Sequence, residues 1–252
     1  STMIGSAGAA WYVSSAGSNT VTQSYLWGGT WGAFLDTGAE YNTVSLSTVI
    51  GAGDVGLYAV GTSSNIVTQS YFWGANSGMS LESGVGYNAV SFSTMIGGAG
   101  YGFLTSGSAS NTVTQSFMRG GLTGAYLDTG SVFAVISFST MTSDSAAEPA
   151  LYVLQGSSNA ILDSYIQGST AVDVSGSTGT LISRSVLVAT NTAGSALAFM
   201  DGGVNLTITS TTLSAPTLGR GLALNPGNAG VVTLGSATFS GNVVEGGLGI
   251  RV

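Results

Sequence analysis

The sequence repeats itself at a fixed spacing, and that spacing limits the fold more than any other feature. Asn19-Thr20-Val21-Thr22-Gln23-Ser24 returns as Asn65-Ile66-Val67-Thr68-Gln69-Ser70 and again as Asn111-Thr112-Val113-Thr114-Gln115-Ser116, each 46 residues after the last. Asn42-Thr43-Val44-Ser45-Leu46-Ser47 and Asn88-Ala89-Val90-Ser91-Phe92-Ser93 lie halfway between, and Ala134 to Ser139 continues the series, so the underlying period is 23. Odd units share Gly32-Ala33-Phe34-Leu35-Asp36-Thr37-Gly38, matched by Gly124 to Gly130, whereas even units share Ser93-Thr94-Met95-Ile96-Gly97, so the coils alternate in pairs. A period of this length marks stacked supersecondary units, none of which can bury its apolar side alone. Within a unit, short runs of β-branched and aromatic residues are broken by Gly, Ser, Thr and Asn, which is a strand-and-turn signal, and no helical apolar period persists. Three short strands per unit are expected, at Ala33 to Asp36, around Val21 and around Leu26.

Residues 1–140 hold the regular coils, and residues 141–252 keep the apolar signature in looser units that open at Asn159, Gly179, Val204 and Val231. Ser1-Thr2-Met3-Ile4-Gly5 aligns with Ser93-Thr94-Met95-Ile96-Gly97, so the chain opens in mid-coil. The expectation is one domain over 1–252 that is a fragment or subunit of something larger.

The units resemble the coils of the right-handed parallel β-helix, the pectate-lyase-like superfamily. The resemblance rests on the Gly-Ala-Phe-Leu-Asp-Thr-Gly segment feeding Asn-Thr-Val, then a polar pair such as Gln23-Ser24, then an apolar residue such as Leu26. It implies an all-β solenoid of about ten coils, with apolar positions stacked inward and a ladder of small polar residues at a tight turn. Ser24, Ser47, Ser70, Ser93, Ser116 and Ser139 are the expected ladder. Lyases, hydrolases, phage tailspikes, adhesins and autotransporter passengers all use this fold, so function must be argued from the site.

Composition removes several classes. The 252 residues include 40 glycines and only 6% charged residues, with a net charge of −7 and no lysine, histidine or cysteine. That leaves no electrostatic footprint for nucleic acid, no thiol or imidazole metal site, no disulfide and no His, Lys or Cys catalyst. No apolar run is long enough for a membrane-spanning helix. In the resembling family, polygalacturonate hydrolases pair aspartates with a His and an Arg-x-Lys element, and the lyases use an Arg or Lys base beside calcium-binding carboxylates. Neither site carries over: Arg119 alone among the arginines falls in the regular region, and its equivalents Trp27, Ile50, Trp73 and Ile96 are apolar. The other acids (Glu40, Asp54, Asp144, Glu148, Asp163, Asp173, Asp201, Glu245) form no calcium repeat. No metal and no cofactor is expected.

Three features remain as candidates. Asp36, Glu82 and Asp128 occupy one position in alternate coils; they are expected about 10 Å apart, near the spacing of an inverting glycosidase pair, or else as turn acids capping backbone N–H groups. With Val21 and Leu26 inward, alternation turns Tyr25, Tyr71, Phe117, Trp27 and Trp73 outward, with Phe34, Phe103 and Tyr126 in another outward column and Tyr41, Tyr87 and Phe133 just before the Asn position. Such a greasy surface fits burial against other copies or missing segments of the same protein, or sugar stacking on Trp27 and Trp73 beside Asp36, Glu82 or Asp128. Thr22, Ser45, Thr68, Ser91, Thr114 and Ser137 form a hydroxyl column of the kind ice-binding solenoids carry. The combined reading is an extracellular or cell-surface rod, structural or adhesive rather than enzymatic, that associates with other copies or parts of a larger surface protein. The alternative is a tailspike-like β-helix that binds or cleaves polysaccharide, as a glycoside hydrolase if an enzyme; ice binding is a minor alternative.

Overall fold

In a computed structural model, which describes residues 1–225, 227–240 and 250–251, the chain winds into a stack of coils that feeds three parallel sheets. Sheet A has eleven strands, from Thr2–Gly5, Tyr25–Gly28 and Thr48–Gly51 to Thr238–Ser240. Sheet B has ten, from Trp11–Val13 and Ala33–Leu35 to Arg220–Leu224, and sheet C eleven, from Thr20–Thr22 and Thr43–Ser45 to Ile250–Arg251. The described residues contain no helix. Each strand pairs with its equivalent one coil away, which stacks like on like at about 4.8 Å. Leu26, Val49, Phe72, Met95, Met118 and Met141 thus form one inward column of sheet A, all fully buried. Val21, Val44, Val67, Val90, Val113 and Ile136 form the facing column of sheet C. Each such side chain contributes roughly 1.5–3 kcal/mol through burial.

Two polar ladders turn the corners. At the turn from sheet C to sheet A the serines stack as expected: Ser24 N–H donates to Ser47 Oγ at 3.1 Å, and the Ser24 hydroxyl donates to the Thr22 carbonyl at 2.7 Å. The pattern continues through Ser47, Ser70, Ser93, Ser116 and Ser139. The residue just before each serine takes a left-handed φ, 46° at Gln23, 50° at Leu46 and 49° at Phe92, which bends the chain while the serine satisfies its backbone. The second ladder goes beyond the expectation from the repeat. At the turn from sheet B to sheet C, Asn42 Oδ1 accepts from Asn19 N–H and Nδ2, Asn65 Oδ1 from Asn42, Asn88 Oδ1 from Asn65, and Asn111 Oδ1 from Asn88. Removing a rung orphans a buried N–H, which costs about 1–3 kcal/mol. Asn65→Ala is expected to lower stability by that amount in urea unfolding followed by circular dichroism, whereas Thr43→Ala on the outer face of the adjoining strand stays within about 0.5 kcal/mol.

The pairwise alternation has a geometric cause. From the last glycine of a sheet A strand to the first inward residue of sheet B the odd coils take five residues (Gly28 to Ala33, Gly74 to Met79, Gly120 to Ala125), and the even coils take six (Gly51 to Leu57, Gly97 to Phe103). The next corner compensates: Leu35 to Val44 is nine residues and Ala59 to Val67 eight, so the sum stays at 23. Sheet B of every even coil is therefore displaced by one residue against a constant 23-residue alignment.

That displacement corrects one assignment. Phe103 pairs with Met79 and Ala125 and is buried at 1% exposure, so it faces the core and does not share the outward column of Phe34 and Tyr126. Leu104 takes that outward place. Past residue 140 the sheet A register steps from Thr140 to Tyr165, Val186, Thr212 and Thr238, uneven intervals absorbed in the corners while the sheets continue. Glu245 and the side chain of Arg251 lie outside the described residues.

Candidate binding groove on sheet B

The one-residue displacement determines what the outer face of sheet B displays. Its central column reads Tyr12, Phe34, Tyr58, Ser80, Leu104, Tyr126, Tyr152, Asp173 along the stack. Beside it runs a column that includes Trp31, Val55, Ser77, Tyr101 and Thr123. The large rings gather in two clusters. Trp31 packs on Phe34 at 5.0 Å and stacks on Tyr58 at 6.0 Å, with Tyr12 against Phe34 at 5.3 Å. Tyr126 packs on Tyr101 and stacks on Tyr152, both at 5.1 Å.

Between the clusters the columns hold Ser77 and Ser80, and small side chains there open a groove of about 260 Å³. Trp31, Val55, Tyr58 and Leu104 form apolar walls, and Asp54, Asn76, Ser77, Ser80 and Glu82 add polar groups. Asn76 Nδ2 donates to Asp54 Oδ1 at 3.4 Å, and the Ser80 hydroxyl donates to Glu82 Oε1. The Ser77 hydroxyl is buried and has no hydrogen-bond partner, an uncommon state for a buried polar atom. Burial, followed by the Glu82 carboxylate, raises the Tyr58 hydroxyl above its ordinary value, so it remains a proton donor at neutral pH.

The three acids of the repeat do share a column, two coils apart, as the pairing of Val60, Glu82 and Ser106 and the flanking strands require. Their environments separate them. Asp36 accepts the Tyr12 hydroxyl at 2.7 Å and Thr37 N–H at 2.7 Å; these bonds, Tyr12 first, hold its carboxyl below the ordinary carboxylate value. Asp128 accepts Thr129 N–H at 2.7 Å. Both cap turns, and Glu82 alone of the three lines the groove.

The other candidates lie elsewhere. Tyr25, Tyr71 and Phe117 alternate with Thr48 and Thr94 on the outer face of sheet A, beside half-buried Trp27 and Trp73. Leu46, Phe92 and Phe138, at 51%, 56% and 61% exposure, lie on the neighbouring corner and interleave with Tyr25, Tyr71 and Phe117 into one stripe. Tyr41, Tyr87 and Phe133 are exposed at the corner between sheets B and C. Thr22, Ser45, Thr68, Ser91, Thr114 and Ser137 stack on sheet C and bond in pairs, Ser45 to Thr22 at 3.1 Å, Ser91 to Thr68 at 3.0 Å and Ser137 to Thr114 at 3.1 Å. Among the described residues no group of acids capable of holding a metal is found, and no helix is long and apolar enough to cross a membrane.

Asp173, which follows Tyr152 in the central column, behaves differently from Asp36. Burial raises its carboxyl, the Ser175 hydroxyl opposes this at 2.7 Å, and Asp201 and Glu148 add to the rise. A folded value above the unfolded one means that the native state binds the proton more tightly, so this group favours folding at low pH. That contribution is lost as pH rises from the ordinary 3.8 through the folded value. Asp173→Asn should remove the decline, read as urea midpoints across about pH 3 to 6 converging on a flatter profile than wild type.

Three parallel sheets stacked coil on coil, with inward apolar columns and polar corner ladders, define a parallel β-helix repeat protein. Residues 1–118 match the family model described as right handed beta helix region. Among solved structures the chain is similar to the Dettilon tailspike protein, at a TM-score of 0.72 and 12% identity over 96% of this chain. It is also similar to tailspike protein 2 from Escherichia coli O157:H7 bacteriophage CAB120, at a TM-score of 0.56 and 9% identity over 89% of this chain. The chain spans 59% and 38% of those two proteins, respectively. At these identities the likeness is one of fold. No curated protein matches the sequence.

Trp31, Tyr58, Tyr12 and Tyr152 escape a reading of the sequence for identifiable reasons. Position 54, one period after Trp31, holds Asp54, so no column announces the tryptophan. Tyr12 and Tyr58 each lie one residue off a constant 23-residue alignment with Phe34, which the displaced corner corrects, and Tyr152 lies three residues off one with Tyr126, which the longer corner from Ser143 to Leu151 absorbs.

Proposed function

We propose that this β-helix is an extracellular or cell-surface rod that engages carbohydrate along the outer face of sheet B. The observation that carries the reading is the groove itself: stacked Trp31 and Tyr58 beside Asp54, Asn76, Glu82 and the unpartnered Ser77 hydroxyl. Aromatic faces pack against the apolar side of a sugar ring, while carboxylate, amide and hydroxyl groups fix its hydroxyls, the usual division of labour in a small-ligand site. The tailspike likeness supports the scaffold and the surface location. On a glycan array followed by calorimetry, Trp31→Ala is expected to weaken binding at least about tenfold, and Trp73→Ala on sheet A to leave it unchanged. A silent array, or equal binding by Trp31→Ala, would overturn the reading. Release of reducing ends by the wild type would mark the groove as hydrolytic, and Glu82→Gln then tests its carboxylate.

A second reading, association with other copies or with further parts of a larger surface protein, is favoured by the stripe of Tyr25, Leu46, Tyr71, Phe92, Phe117 and Phe138. A monomer rarely leaves a long apolar surface open. Sedimentation velocity over a hundredfold concentration range is expected to reveal assembly that Phe92→Ser with Phe138→Ser abolishes. A wild-type monomer throughout excludes assembly with other copies.

A further inference from the structure

The chemistry of sheet B restricts which carbohydrate it can take. Resting on the carbohydrate reading above, we infer that the ligand is an uncharged glycan chain lying along the helix axis, with one sugar seated over Ser77 and Ser80, and that polyuronates and sulfated glycans are excluded. Four observations support this. The two aromatic clusters lie on one axial line, with Tyr12, Phe34 and Tyr58 on successive coils before the gap and Tyr126 and Tyr152 after it. Successive rings recur at about 4.8 Å, commensurate with one hexose of an extended chain running parallel to the axis. Within the gap, the small Ser77 and Ser80 leave room for one sugar between the polar groups of Asp54, Asn76 and Glu82.

From Trp11 to Leu154 the charge on this face is of one sign. Asp36, Asp54, Glu82 and Asp128 belong to it, whereas its strands from Trp11 to Leu154 and the turns feeding them contain no arginine, and the chain has no lysine or histidine. Arg119 is committed to Asp144 at 2.9 Å and Arg184 to Asp163 at 2.6 Å, both away from the groove. The Tyr58, Tyr126 and Tyr152 hydroxyls are each raised, first by burial and then by neighbouring carboxylates. A glycan bearing one carboxylate per sugar would place like charges beside Asp54 and Glu82 with no cation to offset them. Specificity would then arise from repulsion of the wrong ligand as much as from stacking on the right one.

The test is a glycan array on which each linkage is presented as the uncharged polymer, its C6-carboxylate form and its sulfated form, probed at low and physiological salt. Binding is expected only to uncharged members, with the charged partner of each bound chain weaker by about tenfold or more and the gap widening at low salt. The Asp54→Asn, Glu82→Gln double variant should narrow that gap, read as the ratio of uncharged to charged affinity whatever its effect on the uncharged ligand alone. Equal or better binding of a carboxylated or sulfated member would overturn the inference and leave the carbohydrate reading standing. A gap unchanged in the double variant would also overturn it, because the exclusion would then be one of shape. An array silent on every member would sink the carbohydrate reading itself.

Discussion

Phe103→Ala is expected to destabilise the protein by about 3–5 kcal/mol, the range for truncating a fully buried aromatic, while Leu104→Ala next to it costs about 1 kcal/mol or less. Phe103 lies between Met79 and Ala125 in the inward column of sheet B, and its ring is among the largest fully buried side chains. The neighbours above and below are held by the sheet hydrogen bonds of their own coils, so the stack cannot collapse into the vacated space. A solenoid also offers no distant contacts to share the loss, because each coil touches only its neighbours. Urea unfolding of the two variants side by side reads the difference directly. The reverse order, with Leu104 the costlier site, would restore a constant 23-residue alignment and remove Tyr58 from the face that builds the groove.

The second large effect is expected at Gly74. This residue ends the sheet A strand Tyr71–Gly74, and a Cβ there would lie 1.9 Å from the Ser77 carbonyl oxygen, 2.5 Å from that of Asp54 and 2.7 Å from Gly56 N. All three atoms are backbone, and two belong to the coil below, so relief requires opening the corner instead of turning a side chain. Gly74→Ala should cost about 3 kcal/mol or more, in the class of strain lesions. Gly84 is the contrast: its φ of 83° favours glycine, but a methyl group added there would have no atom within 4 Å, so Gly84→Ala costs only about 1–2 kcal/mol. Because Asn76 and Ser77 lie in the corner that Gly74 closes, Gly74→Ala should also weaken ligand binding where Gly84→Ala does not. Thermal unfolding and calorimetry on both proteins check the pair.

Much of the architecture is legible in the sequence because a stacked coil repeats its local solution. The strands at Val21 and Leu26, their inward sense and the serine ladder all follow from alternation and spacing. The asparagine ladder stands in the same repeat, at Asn19, Asn42, Asn65, Asn88 and Asn111, yet its role depends on burial at a corner that spacing does not reveal. Sheet B is harder to read. One residue moves between two corners in alternate coils and leaves the period intact, and a one-residue slip reverses every side chain between core and solvent. A constant alignment therefore misplaces Phe103 and passes over Tyr58, and the longer corner from Ser143 to Leu151 hides Tyr152. Trp31 and Asp54 belong to corners, where no periodicity operates, and only the folded chain brings them to Glu82. The exposed Leu46, Phe92 and Phe138 hold left-handed turn positions that glutamine fills in the other coils. In the sequence they look like the variable member of a polar pair and not like a surface.

We propose the gap between the aromatic clusters of sheet B as a carbohydrate site. The most direct measurement is a crystal structure of the full chain soaked with an uncharged oligosaccharide of the linkage that the array selects. A sugar ring is expected against Trp31 and Tyr58, with its hydroxyls within hydrogen-bond distance of Asp54, Asn76 or Glu82 and the chain extending parallel to the helix axis towards Tyr126. A ligand found instead on the Trp27 and Trp73 face of sheet A, with the groove empty, would contradict it.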